Sequence, residues 1–291
     1  MKQSFTTAAW ILALLLLSSG LFACAGKQTG TPEAQSMSSQ EHERLGDVLM
    51  SRGNTETAMV QYERALELAP DNHGVRYKIA GILLEQGSVQ ESQTQFQAIA
   101  EADPEYAPAY EGIGLCYYRM GNHDQARYYF LQALELDPEL WQSRAVLAML
   151  YDRQGENSRA IEKYLQAIEL NPNEGSLHNN LGVSYNLAGE FDKAVQAFNR
   201  ALELNFREPA VYNNLGLALS KNGRYQAALE AFGHAGSQAQ AYNNLGSVYL
   251  HKGKYQEAIE AFKKAIELDP SFYVMAGENL KKARLAQGRV E

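Results

Sequence analysis

From Ser39 onward, apolar and polar positions recur with a helical period, and the whole pattern then returns at a longer one. Seven stretches begin at Ser39, His73, Ala107, Trp141, Gly175, Pro209 and Ala239. Each predicts a first helix whose positions 4, 7, 8 and 11 share one apolar stripe. Position 15 of each is a glycine (Gly53, Gly87, Gly121, Gly155, Gly189, Gly223, Gly253), which closes that helix as a C-cap. A second helix follows, and five of them end in near-identical phrases: ALELAP (Ala65–Pro70), ALELDP (Ala133–Pro138), AIELNP (Ala167–Pro172), ALELNF (Ala201–Phe206) and AIELDP (Ala265–Pro270). Where Asp-Pro or Asn-Pro stands there, the proline disfavours helix at the residue before it. Successive phrases lie 68, 34, 34 and 64 residues apart, so the unit is 34 residues. Self-similarity at that period predicts a solenoid, in which each unit covers its neighbour's apolar face.

The predicted units are 39–72, 73–106, 107–140, 141–174, 175–208, 209–238 and 239–272. Two places break the pattern. Unit five carries Phe206 where proline is expected, with Pro209 three residues later. Unit six is four residues short, and Gly233 and Gly236 weaken the helix that remains; the missing turn is expected to bend the array locally. After it, residues 273–291 hold an amphipathic core from Val274 to Ala286, with Lys281, Lys282 and Arg284 outward, which predicts a capping helix over the last open face.

The residues at fixed positions resemble the tetratricopeptide repeat. Positions 7–8 read Leu45-Gly46, Ile79-Ala80, Ile113-Gly114, Leu147-Ala148, Leu181-Gly182, Leu215-Gly216 and Leu245-Gly246. Position 20 is Ala58, Ser92, Ala126, Ala160, Ala194, Ala228 and Ala258, and position 24 is always Tyr or Phe. The resemblance covers residues 39–272 and implies an all-α, right-handed superhelical solenoid of seven helix-turn-helix units plus the capping helix. It also implies that the first helices line a concave, protein-binding face.

A stripe at 4, 7, 8 and 11 leaves positions 2, 5, 9, 12 and 13 on the opposite side. Read off the chain, that side starts acidic with Glu43 and Asp47, becomes apolar and aromatic with two arginines, and ends rich in asparagine. Leu84, Leu115, Tyr118 and Met149 are expected to form an exposed apolar anchor site, flanked by Arg119 and Arg153. The last three units repeat Asn-Asn-Leu-Gly, giving Asn179 and Asn180, Asn213 and Asn214, and Asn243 and Asn244, with Lys221 beside them. A side-chain amide both donates and accepts, so a ladder of them can hold an extended peptide's backbone. Position-6 asparagines have that role in O-GlcNAc transferase-like arrays, which the motif resembles. The carboxylate-clamp subgroup carries Lys and Asn at positions 5 and 9 of its first unit, where this chain has Glu43 and Asp47, so that ligand class is disfavoured.

Composition narrows the function further. Net charge is −8 with scattered Lys and Arg, which excludes a nucleic-acid footprint. No catalytic or metal-binding motif stands in the chain, the six His are spread singly, and Cys116 reads as a packed thiol; no enzyme, metal or cofactor is expected. No catalytic domain fits after residue 272, so of a glycosyltransferase system only a repeat subunit is conceivable.

Residues 1–23 read as a secretory signal, with Lys2 ahead of an apolar run from Ala8 to Leu17. Leu21-Phe22-Ala23-Cys24 resembles the lipobox of bacterial lipoproteins, with Phe22 bulkier than usual, and marks Cys24 for lipidation. The competing A-x-A site Ala23-Cys24-Ala25 would release the chain to the periplasm. Ala25 after the cysteine implies the outer membrane if the host has one. Residues 24–38 form a polar tether spanning roughly 20 Å. Signal, cysteine, tether and repeats together are similar to pilus-assembly lipoproteins of the TadD and PilF/PilW types. That resemblance implies a scaffold for pilus or secretin assembly; an NlpI-like adaptor recruiting cell-wall hydrolases or proteases is the other reading.

Overall fold

The computed structural model describes residues 37–288; Cys24, the predicted signal and all but the last two residues of the tether lie outside them. All regular elements among the described residues are helical, and they run as seven antiparallel pairs with a final single helix. The pairs are α1 (Ser39–Ser51) with α2 (Thr55–Leu68), α3 (His73–Glu85) with α4 (Val89–Ala102), and α5 (Ala107–Arg119) with α6 (His123–Leu136). Then come α7 (Trp141–Arg153) with α8 (Asn157–Leu170), α9 (Gly175–Leu187) with α10 (Phe191–Glu203), α11 (Pro209–Lys221) with α12 (Tyr225–Ala235), and α13 (Gln238–His251) with α14 (Tyr255–Leu268). The last helix, α15 (Tyr273–Gln287), packs on α13 and α14 and buries Ala276 and Ala283. The stack is a right-handed superhelical α-solenoid.

Each turn inside a pair has one design. The seven position-15 glycines have φ between +71° and +84°, a backbone that raises the energy of any residue with a Cβ. At each, the next residue's N–H reaches back five residues, as Asn54 does to Leu49 (2.9 Å), and the glycine N–H bonds the carbonyl three residues earlier, as Gly53 does to Met50 (2.9 Å). These are Schellman closures, which satisfy carbonyls at the helix end. The second helices instead stop at an extended residue ahead of proline, for example Asp137 (φ −134°, ψ 99°). Unit five lacks that proline and replaces it with a second Schellman closure. Asn205 takes φ +64°, Phe206 N–H bonds Ala201 O at 3.0 Å, and the Phe206 side chain covers Gly175 so closely that a Cβ there would lie 2.5 Å from it.

Within a pair, the position-24 ring sits directly against position 8. A Cβ on Gly46, Gly182, Gly216 or Gly246 would fall within 2.7 Å of the ring of Tyr62, Phe198, Phe232 or Phe262. Glycine is therefore what permits the ring to lie flat on the first helix; alanine serves at Ala80 and Ala148.

The buried stripe differs from the expected one. Position 4 holds His42, Arg76, Tyr110, Arg144, His178, Tyr212 and Tyr242, of which His42 alone is buried and none is an apolar core residue. Positions 3 and 10 are buried instead: Val75 and Ile82, Ala109 and Cys116, Ser143 and Leu150, Leu177 and Ser184, Val211 and Ala218, Ala241 and Val248. The reason is that every first helix after α1 packs on two partners, its own second helix and the second helix of the unit before. Two packing directions widen the buried arc beyond a single stripe.

Candidate binding groove

The first helices also contact one another directly (α3 with α5, α7 with α9, α9 with α11, α11 with α13), so their remaining side chains form one lateral line. That line is stitched by polar contacts between neighbouring units. At its start, Lys78 of α3 reaches Glu43 Oε1 at 2.9 Å and Asp47 Oδ1 at 2.7 Å, and Tyr62 Oη donates to Asp47 at 2.8 Å. Desolvation pushes the Asp47 carboxyl up, but the bonds from Lys78 and Tyr62 outweigh it and hold it below its ordinary value. The acidic opening read from the sequence is thus a cluster in which one cation offsets half of the charge of two carboxylates. Its cation sits at position 6, which the groove positions read from the helical period omit.

In the middle, Glu111 is 7% exposed, and its Oε1 accepts from Ser143 Oγ at 2.8 Å. Burial raises its carboxyl above the ordinary value, only partly offset by the bonds from Ser143. Burial also pushes the Tyr77 phenol up to about 12, with Glu111 adding to it. Asp152 is shifted upward by burial too, although Ser184 Oγ donates to its Oδ2 at 2.5 Å.

The expected apolar anchor is smaller than predicted. Leu84 is 8% exposed and packs with Phe96, Ile99 and Ile113 inside the array, because position 12 of α3 turns toward α5. Leu115 and Tyr118 are half-buried against the core, and Tyr118 also faces His123 with ring centroids 5.8 Å apart. Met149 remains 37% exposed, and Arg119 and Arg153 are exposed at the last residues of α5 and α7.

The asparagines make separate pairs. Asn179 Nδ2 donates to its neighbour Asn180 at 3.1 Å, Asn244 Nδ2 crosses to Asn213 Oδ1 at 3.3 Å, and Asn279 of α15 donates to Asn243 Oδ1 at 3.2 Å. Asn214 is half-buried on α11. The Asn244–Asn213 contact uses the same position-6 to position-5 register as Lys78 and Glu43, so one structural slot carries an ion pair at one end and an amide pair at the other. Lys221 is exposed, and its carbonyl, with that of Ser220, accepts from Lys252 Nζ, which places a cation at the C-terminal end of α11.

Stacked helix pairs with a shared line of first-helix side chains define a tetratricopeptide-repeat protein, a protein-interaction fold. The chain belongs to the family described as the cilia and flagella-associated protein 70 C-terminal domain, whose model matches residues 3–244; a tetratricopeptide-repeat model matches residues 239–272. No curated protein matches significantly. Among solved structures, the chain is similar to one in the APC/C hetero-tetramer Cut9-Hcn1, at 24% identity and a TM-score of 0.61 over 82% of its length; it spans 48% of that chain. It is also similar to a tetratricopeptide-repeat protein from Parabacteroides merdae (18%, TM-score 0.54, 84% of this chain and 98% of that one). A third is pilF of Pseudomonas aeruginosa (19%, TM-score 0.54, 68% of this chain and 92% of that one). At these identities the likeness is one of fold.

Proposed function

We propose that the protein is a non-enzymatic scaffold that holds a protein or extended peptide in this groove and is lipid-anchored at Cys24 in a bacterial envelope. Its most specific role under this reading is assembly of pilus or secretin machinery, on the periplasmic side of the outer membrane. The observation that carries the binding role is the line of polar contacts along α1 to α13 that joins unit to unit, half-buried at Lys78–Glu43 and Asn244–Asn213 and buried at Ser143–Glu111. The fold shared with pilF and the lipobox-like Leu21–Cys24 support the narrower assignment.

The test is a membrane pull-down comparing wild type with an Asn180→Ala, Asn214→Ala, Asn244→Ala triple variant. Pilus or secretin components bound by wild type and lost by the variant are expected. Recovery of only hydrolases or proteases would replace the pilus role by the adaptor role, and an unchanged partner set would remove the asparagines from the site. Metabolic lipid labelling of Cys24→Ser should be lost; persistent incorporation overturns the anchor.

A further inference from the structure

The short sixth unit leaves a mark that the other units lack. Its second helix, α12, has 11 residues against 13 or 14 in the others, and it ends at Gly236, whose backbone is fully extended. The chain then enters α13 at once through a capping box, with Ser237 N–H bonded to Gln240 Oε1 at 2.9 Å. Where the missing turn would run, a cleft of about 250 Å³ opens between α11, α12, α13 and α15. Phe232 lines it on the apolar side and the exposed Met275 stands at its rim. Its polar lining is made wholly of amides, among them Asn213, Asn243 and Asn244, and no charged side chain contributes.

Those amides are only half engaged. Asn213 and Asn243 each use the Oδ1 end, and Asn244 uses the Nδ2 end. Among the described residues, nothing takes the Nδ2 hydrogens of Asn213 and Asn243 or donates to Asn244 Oδ1. Asn243 is only 6% exposed, so its place at the cleft is fixed by packing.

We propose that this cleft is a specificity pocket of the groove, which receives one uncharged apolar side chain of an extended peptide while Asn213, Asn243 and Asn244 bond the peptide's main chain on either side of it. The proposal rests on the groove reading above. Donors and acceptors standing side by side match a peptide unit, which offers one of each. An amide lining without a counter-charge disfavours a charged side chain, whose desolvation would go uncompensated. The volume is below the ~300–1,000 Å³ of sites for free small molecules, so it suits one side chain of a longer ligand. Phe232 and Met275 supply the apolar contact.

The probe is a random heptapeptide phage library, selected on the full-length chain in detergent. Selected peptides are expected to share one uncharged apolar residue. Their binding should weaken by about tenfold or more in Ala235→Phe, which fills the cleft, and in Met275→Glu, which charges its rim at an exposed position that folding does not use. Circular dichroism confirms that each variant is folded. Peptides that bind wild type, Ala235→Phe and Met275→Glu equally, but are lost in Asn179→Ala/Asn180→Ala, overturn the pocket and leave the groove standing. Peptides selected for a charged residue also overturn the pocket. No enrichment over an unrelated protein overturns both.

Discussion

Glu111 is the side chain whose replacement probes the groove most sharply. α7 has no side-chain cap at its N-cap position, which Leu140 holds, and Glu111 reaches its first turn from α5 by accepting from Ser143 Oγ at 2.8 Å. Glu111→Ala removes one buried methylene, about 0.8 kcal/mol, together with the carboxyl group. It also strips the acceptor from Ser143, which adds roughly 1–3 kcal/mol. The expected loss is about 2–4 kcal/mol. Glu111→Gln keeps the volume and an acceptor, and should lose far less. The pH dependence has a definite sign. Burial raises the native carboxyl's pKa above the unfolded value, so the native state binds its proton more tightly. Wild-type stability therefore falls as pH climbs from the ordinary 4.5 through the raised value. Both variants lack this titration, so in urea unfolding followed by circular dichroism each should improve relative to wild type as pH rises above the ordinary 4.5. A difference that stays flat, or that turns against the variants as pH rises, would refute burial as the dominant influence on Glu111.

Phe198, fully buried beneath Gly182, should cost about 3–5 kcal/mol when replaced by alanine. Because each unit is stabilised by itself and its neighbours, hydrogen exchange should rise most in α9, α10 and α11; an equal rise along the whole array would count against this. At Asn205, glycine should be neutral or slightly stabilising, whereas valine should lower stability by about 1–2 kcal/mol in a thermal melt; equal melts for the two would mean that the left-handed turn is not formed. Lys78→Met should destabilise by at most about 1 kcal/mol, since its ion pairs are partly solvated. That loss should shrink in about 1 M salt. It should also shrink as pH falls below the ordinary 3.8 of Asp47, because the depressed carboxyl stabilises the fold only while ionised; a loss that grows with acid would exclude the ion cluster as its source.

The period of 34, the position-15 glycines and the small residues under each ring were legible because they answer to local backbone and to contacts within one unit. What escaped the sequence depends on contacts between units. Cys116 was legible as a packed thiol, but the burial of position 10 in the later units, as at Leu150, was not, since the preceding unit's second helix covers it. Leu84 looked exposed for the same reason. Lys78 lies one residue beyond a period-based groove, and only the offset between neighbouring first helices brings it to Glu43. Phe206 looked like a lost stop signal; Asn205 supplies the stop by turning left-handed, a capacity that asparagine shares with glycine. Of the asparagines, the motif showed which face they occupy but not that they would pair with one another.

Among the described residues no unit precedes the first, and the positions that later units bury are exposed there: Leu45 is 37% exposed and Val48 43%, where Ile79 and Ile82, or Leu147 and Leu150, are covered. Mechanically, this makes the array a zipper with one loose tooth. A pull applied at Ser38 loads α1 first, and among the described residues α1 is held by α2, Lys78 and a bond from Ser39 to Ala65. Under tension the protein should therefore shed its units one after another from the N-terminal end, lengthening in steps, while the asparagine-lined units at the far end keep their shape until last.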